Sequence, residues 1–255
     1  MSATSDGDLC PVELMRRSEL LGALQSAPRR PAELEAVTSL SRSTVHRAIQ
    51  SLEDAGIVRV NDGVVELTGS GRAVTSHVVD ASEAITTAQR LRPLLDAIDS
   101  AAVSLPLAHL DDAETTFADS RHAHLSVRRI RELVADARQV RLFSGVVSPL
   151  YLDIAFEQVR RGTEVEMILD REVVEVLFAE YATEARDAAR TGQFHVRAFD
   201  ACPFDLFICD DTVAIAAHVD GFLHGLVESA DPVVQEWATA TFEAYTARAE
   251  YVTVI

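Results

Sequence analysis

The chain has no lysine. All 23 of its basic residues are arginine, which removes every chemistry that rests on a lysine: a Walker A phosphate lysine, a Schiff base, or a lysine-dependent phosphodiesterase. Cysteine is scarce as well. Cys10, Cys202 and Cys209 contain no C-x-x-C pair and are too few for a disulfide framework, so a reducing cytoplasm is the expected compartment. No stretch approaches 18 consecutive apolar residues, which argues against a membrane span. The opening MSATSDGDLC lacks the basic start and apolar run of a signal peptide.

What the chain has in excess is acid, with 40 Asp and Glu against those 23 arginines and a net charge of −17. Such a balance ordinarily disfavours nucleic acid, because phosphate is bound by Arg and Lys. The distribution matters more than the total. Residues 1–77 hold 8 Arg against 10 Asp and Glu, whereas residues 78–255 hold 15 against 30. The first segment is nearly balanced and the second strongly acidic. In composition the chain resembles proteins of extreme halophiles, and its 255 residues, 48% of them hydrophobic, suffice for real cores.

Residues 12–25 place Leu14, Leu20, Leu21 and Leu24 on one helical face and predict a first helix that Pro28 ends. Pro31 then opens a short helix with Leu34 and Val37 on one side, and residues 38–40 turn the chain. Ser41 is a good N-cap for RSTVHRAIQSLEDAG, where Val45, Ala48, Ile49 and Leu52 fall at helical spacing and Gly56 is the stop. The opposite face carries Arg42, Ser43, Thr44, His46, Arg47 and Gln50, with no acid before Glu53. These are side chains that reach base edges and phosphates when a helix lies in a major groove. IVRV, Asn61-Asp62-Gly63 and VVEL predict a hairpin, and Thr68 to Gly71 the start of another helix.

This succession, from about Val12 to Gly71, resembles the winged helix-turn-helix of bacterial and archaeal regulators. The resemblance implies that Arg42, Ser43, His46 and Arg47 meet bases or nearby phosphates, followed by Thr44 and Gln50. Arg59 in the wing and Arg30, with Arg29 beside it, would meet the DNA backbone. A winged helix used for protein contacts is the alternative.

From Arg72 to about Asp99 a helical pattern sets Val74, Val78, Ala81, Ile85, Ala88 and Leu91 in a stripe. It is suited to a dimer seam or to packing on the chain's own second domain. Beyond residue 100, strands (QVRLFSG, TEVEMILD, FHVRAFD) alternate with helices, and FDLFICDD, TVAIAAHVD and FLHGLVES suggest an antiparallel meander. The expected organisation is a disordered tail (1–11), an α+β winged-helix domain (12–77), a helical linker (78–105) and an α/β domain with a mixed sheet (106–255).

In an open α/β sheet a ligand crevice is expected at the C-terminal ends of the parallel strands. Ser144, Gly145 and Ser148 stand there, with Asp170 and Asp200, and the meander adds Phe204, Asp205, His218 and Asp220. Together they suggest a polar rim over an apolar floor, for a small neutral or cationic metabolite. Alternatively the serines cap a helix at Pro149 and the aspartates are turn residues. Two groups, His109/Asp111/Asp112/His122/His124 and Cys202/Cys209/His218/His224, have no recognised metal spacing, so no metal or other cofactor is expected.

The strand, S-G-V-V-S-P, helix and R-R-G-T-E-V-E-M-I-L-D succession, with FDLFICDDTVAIAAH, resembles the methanogenesis regulatory protein middle domain of archaeal regulators. That domain is similar to phospholipase D-like sensors, over roughly residues 120–250. Active phospholipase D-like enzymes carry an H-x-K pair and this chain has no lysine, so the resemblance implies binding without catalysis. The expectation is a cytoplasmic, homodimeric regulator that binds a double-stranded operator and responds to a small-molecule effector. The alternatives are a ligand-free regulator that recruits partners and an enzyme with an accessory winged helix.

Overall fold

The computed structural model describes residues 9–98, 104–117, 125–146, 148–219 and 222–253. Most of the expected tail, residues 1–8, lies outside them, as do His122, His124 and Asp220. The chain divides into two compact units, Met1–Thr86 and Thr87–Ile255. No helix among the described residues is long and apolar enough to cross a membrane.

The first unit runs α1 (Pro11–Met15), α2 (Ser18–Ser26), α3 (Pro31–Val37), α4 (Arg42–Asp54), β1 (Val58–Asn61), β2 (Val64–Leu67) and the start of α5 (Gly69–Arg90). The single helix expected over 12–25 is two. Arg17 leaves helical geometry at φ −108°, ψ 10°, and its guanidinium donates to the Glu13 carbonyl at 2.7 Å and to Ser51 Oγ at 3.2 Å. The apolar faces of α2 to α4 close over Leu20, Leu21, Leu34, Val45, Ile49 and Leu52, and Val65 and Leu67 of the wing join them.

Two joints shape the wing. Asp62 and Gly63 take φ of +51° and +75°, the mirror-image turn that suits a two-residue hairpin. Arg29 adds a bridge that the sequence pattern does not announce: its N–H donates to the Val65 carbonyl at 3.0 Å, and Val65 N–H donates back at 2.8 Å. Thr68 forms the second joint. Its hydroxyl donates to the Gly56 carbonyl at 2.7 Å and accepts from Gly71 N at 2.9 Å, while its own N–H donates to the Ile57 carbonyl at 3.0 Å.

The α5 stripe is divided. Val74 and Val78 pack on the first core and Leu91 belongs to the core of the second unit, whereas Ala81 and Ile85 are exposed, Ile85 to 53%.

The second unit continues with α6 (Arg92–Leu95), a 3-10 turn at Leu107–His109, β3 (Glu114–Phe117), α7 (Leu125–Asp136), β4 (Gln139–Ser144), α8 (Pro149–Arg161), β5 (Glu164–Asp170), α9 (Arg171–Glu180) and α10 (Ala182–Arg190). Then come β6 (Phe194–Phe199), β7 (Asp205–Cys209), β8 (Thr212–Val219), β9 (Phe222–Ser229), α11 (Pro232–Thr246) and β10 (Glu250–Tyr251). Eight strands form one sheet in the order β10-β6-β5-β4-β7-β8-β9-β3. β4, β5 and β6 are parallel; β7, β8 and β9 are the expected antiparallel meander.

The mixed α/β sheet is therefore as expected, and two short edge strands, β3 and β10, are additions. Strand alternation sends Val140 and Leu142 to a layer formed by α7 to α10, and Phe143, Leu206 and Ile208 to the opposite layer under α6 and α11. Every residue of β7 is buried, because the strand is central and covered on both faces.

Candidate functional site

On the first unit the surface begins at α4. Ser41 caps it, accepting from Thr44 N at 3.4 Å, and the same hydroxyl lies 2.9 Å from Thr44 Oγ1 and 3.2 Å from Ser43 Oγ. Both expected hydroxyl readers thus sit in the cap, Thr44 half-buried and Ser43 exposed. Arg42, His46, Arg47 and Gln50 are exposed on one helix whose other face is core. Arg47 Nε reaches the Ser43 carbonyl at 3.3 Å; the side chains of Arg42, His46 and Gln50 make no hydrogen bond or ion pair among the described residues. Glu53, the first acid along the helix, turns to the wing and accepts from Val60 N at 3.2 Å.

In the wing, Arg59 Nε lies 2.7 Å from Glu66 Oε1, which also accepts from Asn61 Nδ2 at 2.8 Å. The Arg59 and Asn61 hydrogen bonds hold the Glu66 carboxyl below the usual range. Arg30 is exposed, its backbone N–H donates to Glu33 Oε2 at 2.7 Å, and its guanidinium lies near Gly63 at the wing turn. Arg29 is different. Its Nε donates to the Ala23 carbonyl at 3.0 Å and its backbone is bridged to the wing, so it serves as a structural tie.

Sequence reasoning missed a groove of about 310 Å³ beside α4, lined by Glu13, Arg16, Arg17, Leu40, Thr44, Arg47 and Ala48. The Arg16-Arg17 pair is the available signal. It hides in the stripe of an expected helix that is in fact broken there.

On the second unit the topology gathers most of the expected ligand residues. Ser144 ends β4, Asp170 ends β5, Asp205 opens the antiparallel β7 and His218 stands near the end of β8, all at one end of the sheet. Asp205 is not on a rim, however. It is 2% exposed because it opens a strand buried on both faces. Ser144 Oγ donates to Asp205 Oδ1 at 2.5 Å, and His218 Nδ1 lies against Asp205 Oδ2.

Beside them Asp170 Oδ1 accepts from Cys202 N at 2.6 Å, and Asp170 Oδ2 faces Gly145. Burial, then a hydrogen bond to Asp170, then the charges of Asp170 and Asp205 push the Cys202 thiol up. Burial and Asp205 push the Tyr151 phenol up.

Phe204, Ser148 and Asp200 stand apart. Phe204 is 4% exposed and packs edge-on to Phe143 at 4.7 Å between ring centres and over Trp237 at 6.2 Å, so it is core and not wall. Ser148 occupies the N-cap position of α8 with no side-chain cap bond. Asp220 lies outside the described residues. Asp200 is exposed and paired with Arg171 Nε at 2.9 Å.

At the opposite end of the sheet a cavity of about 470 Å³ is lined by residues including His109, Asp111, Asp112, Arg129, Glu228 and Asp231. Arg129 Nε holds the buried Glu228 carboxylate at 2.9 and 3.0 Å. Among the described residues no three His, Cys, Asp or Glu side chains group as a metal site.

Comparison with known proteins agrees with the sequence in both stretches. Residues 10–90 match the family model described as the HVO_A0261 N-terminal domain. Residues 123–248 match that described as the methanogenesis regulatory protein FilR1, middle domain. No curated protein matches the chain. Among solved structures, TrmBL2, an archaeal chromatin protein whose structure is described as showing a novel mode of DNA binding, is 18% identical, with 91% of this chain and 92% of that one covered and a TM-score of 0.46. Nuc from Salmonella typhimurium, a phospholipase D family member, is 14% identical over 55% of this chain and 99% of its own, with a TM-score of 0.44. NucT from Helicobacter pylori is 11% identical over 55% and 100%, also at 0.44. The resemblance to an archaeal regulator is borne out by the two family models.

Proposed function

Taking as premise a chain that joins an HVO_A0261 N-terminal domain to a FilR1 middle domain, the make-up of an archaeal transcription regulator, we propose that it binds operator DNA through the α4 face and the wing. The observation that carries this is the pairing on one helix of a wholly buried apolar face with an exposed face of Arg42, Ser43, His46, Arg47 and Gln50, the helix's own first acid, Glu53, being turned to the wing. Arg42, His46 and Arg47 are the base-edge or near-phosphate contacts, with Ser43, Thr44 and Gln50 beside them. Arg30 and Arg59 are backbone contacts. The regulator acts as a homodimer, and Ala81 and Ile85 supply the exposed part of the seam. Its second unit binds a small metabolite that favours one dimer arrangement over another, with an effect bounded by its differential affinity for the two. Domain limits of 12–77, 78–105 and 106–255 and an intracellular setting rich in salt complete the reading.

A Ser–His–Asp hydrolase is disfavoured by a specific geometry: Ser144 meets Asp205 directly and not His218, so the three side chains do not stand in the order of that triad.

The test is Arg42→Ala/Arg47→Ala. A good bidentate pairing with a base is worth about 1–3 kcal/mol, so the double variant should lose on the order of a hundredfold or more in operator affinity while its circular dichroism and melting stay unchanged. For every arginine that neutralises a phosphate, its removal should also flatten the salt dependence by about 0.9 in log K against log salt. Unchanged affinity in a folded variant would remove α4 from the interface.

A further inference from the structure

The groove beside α4 gathers positive charge that the α4 face alone does not account for. Its lining brings Arg16, Arg17 and Arg47 together with Thr44 and a single acid, Glu13. We propose that the groove seats one backbone phosphate of the bound DNA and that this seat fixes the register of α4 on the duplex. The proposal rests on the reading of the first unit as a DNA-binding domain and adds a contact which that reading leaves out.

Three observations carry it. The first is the state of Arg17, which stands at the break between α1 and α2. Its part-buried guanidinium reaches two neutral acceptors, the Glu13 carbonyl at 2.7 Å and Ser51 Oγ at 3.2 Å. Its Nε is buried without a hydrogen-bond partner, and no carboxylate among the described residues pairs with it. A cation held below the surface without a counter-ion is costly, and an anion placed in the groove offsets that cost.

Arg16 is the second. It is exposed, and its side chain makes no hydrogen bond or ion pair among the described residues. The Glu13 carboxylate makes none either, so the acid in the lining neutralises neither arginine by direct contact. Consecutive side chains of an unbroken helix do not face the same way. The departure from helical geometry at Arg17 lets both border one groove.

Continuity is the third. Arg47 lines the groove and also belongs to the exposed α4 face. Thr44 lies in the first turn of that helix, where the backbone's partial charge is positive. An anion in the groove therefore sits at the edge of the surface proposed to meet DNA, and about 310 Å³ leaves room for a phosphodiester. Phosphate contacts position a protein on the duplex, whereas base contacts carry its sequence preference. Salt also screens charges in a partly buried seat less than charges on open surface.

The test uses the full chain, a duplex that it selects from random-sequence DNA, and an unrelated duplex of the same length. Arg16→Ala is the deciding variant because it removes no bond within the protein, whereas Arg17→Ala also loses the bonds to Glu13 and Ser51. Arg16→Ala should leave melting unchanged and weaken both duplexes by a similar factor, about threefold or more. It should also flatten log K against log salt by about 0.9 for each chain bound. Glu13→Gln, which removes the acid from the lining, should strengthen both duplexes, and it decides if Arg16→Ala lowers melting. In ethylation interference the native chain should be sensitive to a phosphate beside the bases that it protects, and Arg16→Ala should lose sensitivity at that position alone.

Unchanged affinity, salt slope and interference in folded Arg16→Ala overturn the seat, and a loss in Arg42→Ala/Arg47→Ala then keeps the α4 reading. A loss confined to the selected duplex overturns the phosphate in favour of a base contact. Inorganic phosphate tests the other source of the same chemistry. If it raises the melting temperature saturably through Arg16 while the interference pattern is unchanged, the groove holds a free anion and the DNA seat is overturned. Binding to neither duplex overturns the seat and the regulator reading together.

Discussion

Replacing Gly71 by alanine should uncouple the wing from α5. A Cβ there would stand 1.9 Å from the Ile57 carbonyl oxygen and 2.9 Å from its carbon, both backbone atoms that no rotamer change can move. Relief requires the start of α5 to retreat by more than an ångström, and the same retreat breaks the joint at Thr68, whose hydroxyl links Gly71 N to the Gly56 carbonyl. Overpacking costs about 1–3 kcal/mol, and two broken hydrogen bonds add about 1 kcal/mol each. A total near 3–5 kcal/mol is a large part of the stability of a small unit, typically about 5–15 kcal/mol.

At roughly 4–8 °C per kcal/mol for a unit of this size, the transition of the first unit should fall by at least about 10 °C, read by calorimetry on the whole chain. Gly69→Ala is the matched control. It lies two residues away in the same helix, and a Cβ there meets nothing within 4 Å. It should be neutral or slightly stabilising, as Gly to Ala is where the backbone permits. Equal effects from the two substitutions would refute the reasoning, because helix propensity would then outweigh the close approach.

Two further outcomes follow from titration. The folded Glu66 carboxyl titrates below its ordinary value because Arg59 and Asn61 bond it, so the pair supports the wing fully above the ordinary carboxylate range and loses that support as pH falls through the lowered value. Glu66→Gln should release Arg59 and strengthen DNA binding several-fold near neutral pH, and unchanged or weaker binding in a gel-shift titration would show that Arg59 does not face phosphate. Burial pushes the Cys202 thiol up and Cys209 up to about 12, and the thiolate is the reactive form. Iodoacetamide at pH 8 should therefore modify Cys10, which is exposed, at least tenfold faster than the other two in the native chain, and all three after unfolding. Mass spectrometry reads the ratio, and comparable rates would contradict the buried placement.

Local chemistry makes the first unit readable from its residues. Ser41, Gly56, the Asp62-Gly63 turn and the buried spacing of Val45, Ala48, Ile49 and Leu52 each act within a few residues, and each stands where the pattern puts it. The break at Arg17 is hidden because the apolar spacing runs on through it, and one partner of its guanidinium, Ser51, lies 34 positions away. The bridge from Arg29 to Val65 is hidden by a like separation. In the second unit the strands are legible as runs, and the parallel-then-antiparallel order brings Ser144, Gly145, Asp170, Asp205 and His218 together. Depth is not legible. Asp205 and Phe204 look like rim residues beside a turn, and only the central place of β7, covered on both faces, puts one inside as a buried carboxylate and the other in an aromatic core.

The charge of the chain and its proposed partner are reconciled by where its acids are held. Four acids of the first unit accept hydrogen bonds from within it: Glu19 from Ser39, Glu33 from Arg30 N, Glu53 from Val60 N and Glu66 from Arg59 and Asn61. Bonded in this way, they are directed to partners within the unit, and Glu13, which lines the groove beside α4 with Arg47, shares that groove with Arg16 and Arg17. The large acidic excess belongs to residues 78–255. In concentrated salt the counterion-release contribution that dominates most DNA binding shrinks. A chain with few cations on its DNA-facing surface loses less by that change than a highly basic one, provided that bases and not phosphates supply its affinity. Arg42, His46, Arg47 and Gln50, exposed on a helix whose other face is packed in the core, are suited to that task, and in the proposed dimer two such helices would act together.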